Sequence, residues 1–203
     1  MVDKLLRVPK EQVLAPVATR VFYAVQPTTL TLAAFGIGLA AAVAVWQGAY
    51  GVGVGLWVLN RVLDGLDGTV ARLHQKQSDL GGYLDIVLDT VIYAAIPFAL
   101  VLSQPQPGAW LSLAFLLSSF YINGASWMYL AALLEKRRHG AAAQGELTTI
   151  TMPGGLIEGT ETVLFFTLFL VFPDSSVYVF TLMGLLVVAT IVQRLVWAKE
   201  HLH

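Results

Sequence analysis

The chain contains no cysteine, which excludes disulfide frameworks and thiolate-ligated metal centres. Charge is scarce as well. Asp, Glu, Lys and Arg make up 12% of the 203 residues, roughly half the share of an ordinary soluble domain. The net charge of −1 leaves no broad basic surface of the kind that binds nucleic acid. No internal repeat and no low-complexity linker is visible. The first 20 residues scatter their charges and lack a clean apolar core, so a cleaved signal peptide is not expected. A short amphipathic helix over Lys4–Ala15, lying on a membrane surface, is expected instead.

What remains is apolar. Hydrophobic residues make up 57% of the chain and the mean hydropathy is +0.71. Apolar runs of about 20 residues, the length needed to cross a bilayer, recur along most of it. The fold class expected is an all-α integral membrane protein with six transmembrane helices and the N-terminal juxtamembrane helix. The helices are expected near Thr28–Trp46, Tyr50–Arg72, Gly81–Leu102, Gly108–Leu134, Gly155–Phe172 and Ser176–Trp197. The chain then reads as one domain, with residues 1–26 juxtamembrane and 27–197 forming the bundle. Pro27, Pro105, Pro107, Pro153 and Pro173 fall near proposed ends, where proline costs least.

Charge placement supports six spans. Eleven of the twelve Lys and Arg residues fall on one face of this map, and Arg61 lies inside the second helix, in the half nearer that face. The positive-inside rule makes that face cytoplasmic, together with both termini. Trp46, Trp57, Trp110 and Trp197 suit interfacial anchors. Asn60 and Asn123 suit hydrogen bonds between neighbouring helices. Gly51 and Gly55 suit close helix packing. His74 and His139 suit solvated loops.

Acids inside such a chain are costly unless they are paired or face a polar cavity. Asp64 and Asp67 sit near the end of the second helix and Asp85 and Asp89 near the start of the third. Spacings of i,i+3 and i,i+4 put each pair on one helix face. Antiparallel neighbours with these faces opposed would bring four carboxylates together. Their repulsion would be relieved by a pair of divalent cations, and oxygen-only ligands favour Mg2+ or Mn2+. Two such ions suit phosphoryl transfer, and a free carboxylate can take the proton from an alcohol. Gly65, Gly68, Gly81 and Gly82 leave room beside the acids, and Arg72 can clamp a diphosphate with its planar fork.

These residues read Asp64-Gly65-Leu66-Asp67-Gly68-Thr69-Val70-Ala71-Arg72, eight residues, then Gly81-Gly82-Tyr83-Leu84-Asp85-Ile86-Val87-Leu88-Asp89. The run resembles the motif of the class I CDP-alcohol phosphotransferases, D-x2-D-G-x2-A-R-x8-G-x3-D-x3-D, at every fixed position. The resemblance implies an enzyme of phospholipid biosynthesis. It would displace CMP from a CDP-linked lipid, usually CDP-diacylglycerol, with an alcohol acceptor. It further implies that Asp64, Asp67 and Asp85 are the main metal ligands, and that Asp89 is a ligand of the second ion and the general base. Asp67, Gly68, Ala71, Arg72 and Gly81 would line the CDP site. A cytoplasm-facing active site and a homodimer are implied as well.

The acceptor alcohol is not legible. Asp85-Ile86-Val87-Leu88-Asp89-Thr90-Val91 departs from the DPLADK-like run of phosphatidylglycerophosphate synthases, and Ser78-Asp79-Leu80-Gly81 is nearer to bacterial phosphatidylserine synthases. Glu158 and Glu161, at the start of the fifth helix, either line an acceptor pocket or serve the helix terminus. Arg137, Arg138 and Arg194 either meet an acceptor phosphate or face anionic lipid. The alternative from another class is a cation transporter using the same carboxylates. It calls for acids at mid-span and broken helices in related halves, which the sequence lacks.

Overall fold

The computed structural model describes Pro16, Ala18, residues 25–137 and residues 154–202. The expected amphipathic helix, Arg138 and His139 lie outside these residues. Among the described residues the fold is all-helical. The elements are α1 (Pro27–Trp46), α2 (Tyr50–Leu73), α3 (Asp79–Ser103), α4 (Ala109–Lys136), α5 (Gly159–Val171), a 3-10 turn (Pro173–Ser175) and α6 (Ser176–His201). Pro27 opens α1 at a first-turn position, where its missing N–H costs no hydrogen bond. Ser78 caps α3 by accepting from Gly81 N at 3.1 Å.

Among the described residues three segments are long and apolar enough to cross a membrane: Pro27–Trp46, Asp79–Ser103 and Pro173–His201. Helices α2 and α4 have the length, at 24 and 28 residues, but carry more polar side chains. Helix α5 is apolar but has 13 residues, about 20 Å at ~1.5 Å per residue, against a hydrocarbon core of about 30 Å. Its start is at Gly159 rather than near Gly155. The intervening backbone is irregular and docks on protein. Ile157 N donates to Thr190 Oγ1 on α6 at 2.9 Å, and Gly155 N donates to Glu158 Oε1 at 3.0 Å. A Cβ at Gly155 would lie 2.2 Å from Thr190 Cγ2, so only glycine fits this docking.

Helix α1 packs along both α2 and α3, while the backbones of α2 and α3 stay apart and their side chains span the gap. Close approach of α1 uses two glycines. A Cβ at Gly53 would lie 2.6 Å from Val45 Cγ2, and one at Gly38 would lie 2.7 Å from Ile92 Cδ1. The packing glycine of α2 is therefore Gly53. Gly51 and Gly55 have nothing within 4 Å of a modest added methyl, because they lie on the opposite, exposed side of the helix. Helices α4 and α6 form the other close pair.

The core centres on aromatic rings. Trp57 stacks on Phe166 at 5.0 Å, and Tyr93 meets both edge-on. Trp57 is fully buried and donates from Nε1 to Thr167 Oγ1 at 3.2 Å. It is not an interfacial anchor, because its residue faces α5 and the core. Trp46 and Trp110 are exposed near helix ends, as an anchoring role requires. Asn60 and Asn123 do join helices: Asn60 Nδ2 donates to Ala34 O at 2.8 Å, and Asn123 Oδ1 accepts from Arg194 at 2.8 Å.

Helix α2 ends in a Schellman turn with no glycine. Gln75 N bonds Arg72 O, Lys76 N bonds Ala71 O, and Gln75 takes φ +53°. This turn reverses the chain into α3. His74, expected in solvent, is half-buried at the cap, with its Nε2 shut off from the surface.

Candidate active site

The last third of α2 and the first half of α3 carry the acids. Oxygens of Asp64, Asp67 and Asp85 lie within 4.8 Å of one another. Asp67 is the deepest, at 5% exposure. It accepts a hydrogen bond from Thr31 Oγ1 on α1 at 2.6 Å. That short, charge-assisted bond fixes the carboxylate from a third helix. Thr31 was missed by sequence reading, because a lone Thr in an apolar helix carries no signal until the packing of α1 on α2 is known.

Asp89 does not join the three. Arg61, one turn before Asp64, holds it in a fork: NH2 to Oδ1 at 2.6 Å and NH1 to Oδ2 at 3.0 Å. The same NH1 lies 3.6 Å from Asp64 Oδ2 and 2.9 Å from the Tyr93 hydroxyl. The opposed faces therefore bring three acids together and set the fourth across a guanidinium. Sequence reading placed Arg61 inside α2 but gave it no task; in the structure it lies at the middle of the helix. Its signal was available: Arg61 and Asp64 are i,i+3, and an intramembrane cation requires a partner.

The nucleotide candidates cluster where α2 ends and α3 begins. The Arg72 guanidinium folds back over Gly68. A Cβ there would lie 3.2 Å from NH1, so Gly68 makes room for the arginine. Arg72 NH2 reaches Thr69 Oγ1 at 3.5 Å. Ala71 is half-buried on the same turn, and Gly81 is half-buried in the first turn of α3.

The acceptor candidates are divided. Glu158 and Glu161 form a reciprocal capping box on α5, in which Glu158 N donates to Glu161 Oε2 at 3.2 Å. Both thus have a place at the helix terminus, and Glu158 Oε1 also accepts from Gly155 N at 3.0 Å. Arg137 is exposed and donates to Leu202 O at 2.6 Å, tying the end of α4 to the end of α6. Arg194 is buried at 6% exposure between Asn123 and the 154–158 segment, its NH2 within 3.6 Å of where a Cβ at Gly155 would be.

Three clustered carboxylates, one of them buried, form a hard-oxygen donor set. It fits a divalent ion such as Mg2+ or Mn2+ and suits neither zinc in a thiolate site nor a soft metal.

Acids from two helices thus meet at one end of the bundle, beside small residues and an arginine. A family model, CDP-alcohol phosphatidyltransferase, matches residues 24–198. The Escherichia coli K12 inner membrane protein YnjF is 40% identical over 149 residues, covering 73% of this chain and 71% of that protein. The bifunctional IPC transferase and DIPP synthase of Thermococcus kodakarensis is 35% identical over 68 residues, which are 34% of this chain but 16% of that protein. Two crystal structures of the Mycobacterium tuberculosis phosphatidylinositol phosphate synthase PgsA1 share the fold at 20% identity. The one with CDP-DAG bound has a TM-score of 0.68 and covers 91% of this chain and 92% of its own. The one with manganese and citrate has a TM-score of 0.67 and covers 90% and 87%. The chain belongs to the CDP-alcohol phosphatidyltransferase family and is an enzyme of that class, acting in phospholipid synthesis. With three helices able to cross a bilayer, it is an integral membrane protein.

Proposed function

We propose that this enzyme transfers a phosphatidyl group from a CDP-linked lipid, CDP-diacylglycerol in the first instance, to a small polar alcohol and releases CMP. The observation that carries the reading is the three-carboxylate cluster of Asp64, Asp67 and Asp85, joined to a complete family motif. PgsA1 was crystallised with CDP-DAG and, separately, with manganese, which supports the same donor and a divalent ion here.

On this reading Asp64, Asp67 and Asp85 hold one divalent ion, Mg2+ or Mn2+, and Asp89 contributes to a second. When bound, the ions neutralise charge on the diphosphate and on the attacking and leaving oxygens. The remaining work falls to side chains. Arg72, seated over Gly68, clamps the diphosphate, and Ala71 and Gly81 leave room for the cytidine. Asp89 accepts the proton of the acceptor hydroxyl as its oxygen attacks the lipid-linked phosphorus and the bond to CMP breaks. Thr31 keeps Asp67 in place throughout.

The even number of helices and the basic residues at the acid-bearing end support six spans, with both termini and the active site facing the cytoplasm. The short α5 then begins below the membrane surface, its first turn satisfied by the capping box and the preceding segment by Thr190. Arg194, buried beside that segment, is the best-placed group for an anionic acceptor. Arg137 and Arg138 are weaker candidates, and Glu158 and Glu161 are occupied with the cap. The family resemblance extends to a homodimer. Nothing in the fold or the family favours the transporter alternative.

The test is CMP release from CDP-diacylglycerol by the purified protein with glycerol 3-phosphate, serine, inositol, inositol phosphate, ethanolamine, choline or phosphatidylglycerol, with and without Mn2+ or Mg2+. One acceptor is expected to give metal-dependent release, lost at least 100-fold in Asp89→Asn. Full activity of Asp89→Asn, or release indifferent to EDTA, would overturn the assignment.

A further inference from the structure

Arg61 is engaged on several sides at once, and the reaction scheme above leaves it no role. Its Nε donates to Asn60 Oδ1 at 2.7 Å, and Asn60 is itself anchored on α1 through Ala34 O. Its two NH groups make the fork to Asp89 and reach the Tyr93 hydroxyl. Its flat face lies over Trp57, with the central carbon 4.9 Å from the ring centroid, and 5.3 Å from that of Tyr93. The side chain is 9% exposed. Contacts from its own neighbour, from α3 and from two rings therefore fix one guanidinium position.

A structural tether between α2 and α3 would need only one such bond. The position matters more than the number. NH1 stands between Asp89 Oδ2 at 3.0 Å and Asp64 Oδ2 at 3.6 Å, where a cation shared by the fourth acid and the three-acid cluster would sit. Arginine suits this task because its fork matches a carboxylate and its charge is permanent.

We propose that Arg61 is a positioning residue and the built-in cation of the site: it aims the Asp89 carboxylate and shares it with an incoming divalent ion. The inference rests on the metal-dependent transfer proposed above. It has two separable consequences. The charge of Arg61 weakens metal binding, because part of the carboxylate field is already neutralised. Its fork sustains turnover, because an unheld Asp89 is free to rotate away from the acceptor hydroxyl.

The experiment uses the full-length protein in detergent micelles. Mn2+ affinity is read from the free-ion EPR signal, and kcat and KM from CMP release. In Arg61→Gln, which loses both charge and fork, the Mn2+ Kd is expected to tighten at least tenfold. Its kcat falls at least 30-fold while KM for the CDP-lipid stays within threefold. In Arg61→Lys, which keeps the charge, the Kd stays within threefold of wild type and kcat is intermediate. A Kd in Arg61→Gln that is unchanged or weaker, or a kcat within threefold of wild type, overturns the proposal. Should Arg61→Gln fail to fold, Tyr93→Phe decides, since it deletes the hydroxyl that anchors NH1 beside Asp89 and leaves the ring in place. A threefold or greater loss of kcat at constant KM and Mn2+ Kd supports the proposal, and a kcat within twofold overturns it. A wild-type protein that neither binds Mn2+ nor releases CMP would overturn the function itself, and this inference with it. A wild type that does both, beside an indifferent Arg61→Gln, overturns the inference alone.

Discussion

Replacing Asp85 by Asn separates two things the acid cluster does, because it is expected to stabilise the metal-free protein while abolishing its response to metal. Asp85 shares a site with Asp64 and Asp67, all within 4.8 Å of one another. At that distance, and at an effective dielectric of about 20, each like-charged pair costs about 3.5 kcal/mol, so Asp85 faces about 7 kcal/mol from its two neighbours. That figure is a ceiling. Any carboxylate can be neutralised by a proton, which at pH 7 costs about 4 kcal/mol from the reference value, and water reaching the half-buried Asp85 screens it further. The net gain from Asp85→Asn is therefore about 1–3 kcal/mol. For a chain of this size, each kcal/mol moves the midpoint by about 2–4 °C.

The assay is thermal unfolding of the detergent-solubilised protein in EDTA and again in Mn2+. Wild type is expected to gain about 2.7 kcal/mol at a hundredfold excess over Kd, a shift of about 5–10 °C. Asp85→Asn is expected to start about 2–12 °C higher in EDTA and to gain little from Mn2+. Asp89→Asn provides the control of opposite sign. It breaks the fork with Arg61 and leaves a largely buried guanidinium short of its partner, so the metal-free protein should lose about 3 kcal/mol. An Asp85→Asn protein that melts below wild type in EDTA would show that the three acids do not strain one another. One that keeps the full Mn2+ shift would remove Asp85 from the ligand set.

Thr31→Val keeps the shape of the side chain and deletes the donor to Asp67. The metal-free protein should lose about 1.5–3 kcal/mol, the worth of a hydrogen bond to a charged group, and an unchanged midpoint in EDTA would count against that bond. Gln75→Gly relieves a side chain held at φ +53° in the turn between α2 and α3, and should raise stability by about 0.5–1 kcal/mol. A lower melting midpoint for Gln75→Gly would mean that the turn is not as described.

How much could be read in advance depended on range. The motif from Asp64 to Asp89 is written within 26 consecutive residues, so helix periodicity and one short turn were enough to put Asp64, Asp67 and Asp85 together. The boundaries of α1, α2, α4 and α6 follow apolar runs ended by Gly, Pro or charge, and came out within a few residues. Trp57 was misjudged because an indole in an apolar helix looks alike whether it faces lipid or α5, and only the packing of Phe166 against it decides. Gly51 and Gly55 share their helix with Gly53, and the sequence does not say which side of α2 meets α1. The start of α5 moved from near Gly155 to Gly159 because Glu158 and Glu161 cap one another and set the first turn there. Thr31 depends on a contact between segments 36 residues apart in the chain, which no local pattern announces; for Arg61 the i,i+3 spacing to Asp64 was legible, but its fork with Asp89, 28 residues away, was not.

The sum of charges at the site bears on how many ions it takes. Four aspartates and the two arginines, Arg61 and Arg72, leave the protein groups at a net of −2. One divalent ion brings this to neutrality. A second would leave an excess of two positive charges in a largely desolvated space, and that is costly unless an anion arrives with it. The diphosphate of a CDP-linked donor carries about two negative charges, which cancel that excess. The second ion should therefore enter with the nucleotide, not before it. Counting bound Mn2+ by EPR should give about one ion per chain in the absence of nucleotide and about two once CDP is added at saturation. Two tightly held ions without CDP would break the electrostatic argument, because they would mean that a further acid, or solvent, offsets the charge assigned here to the substrate.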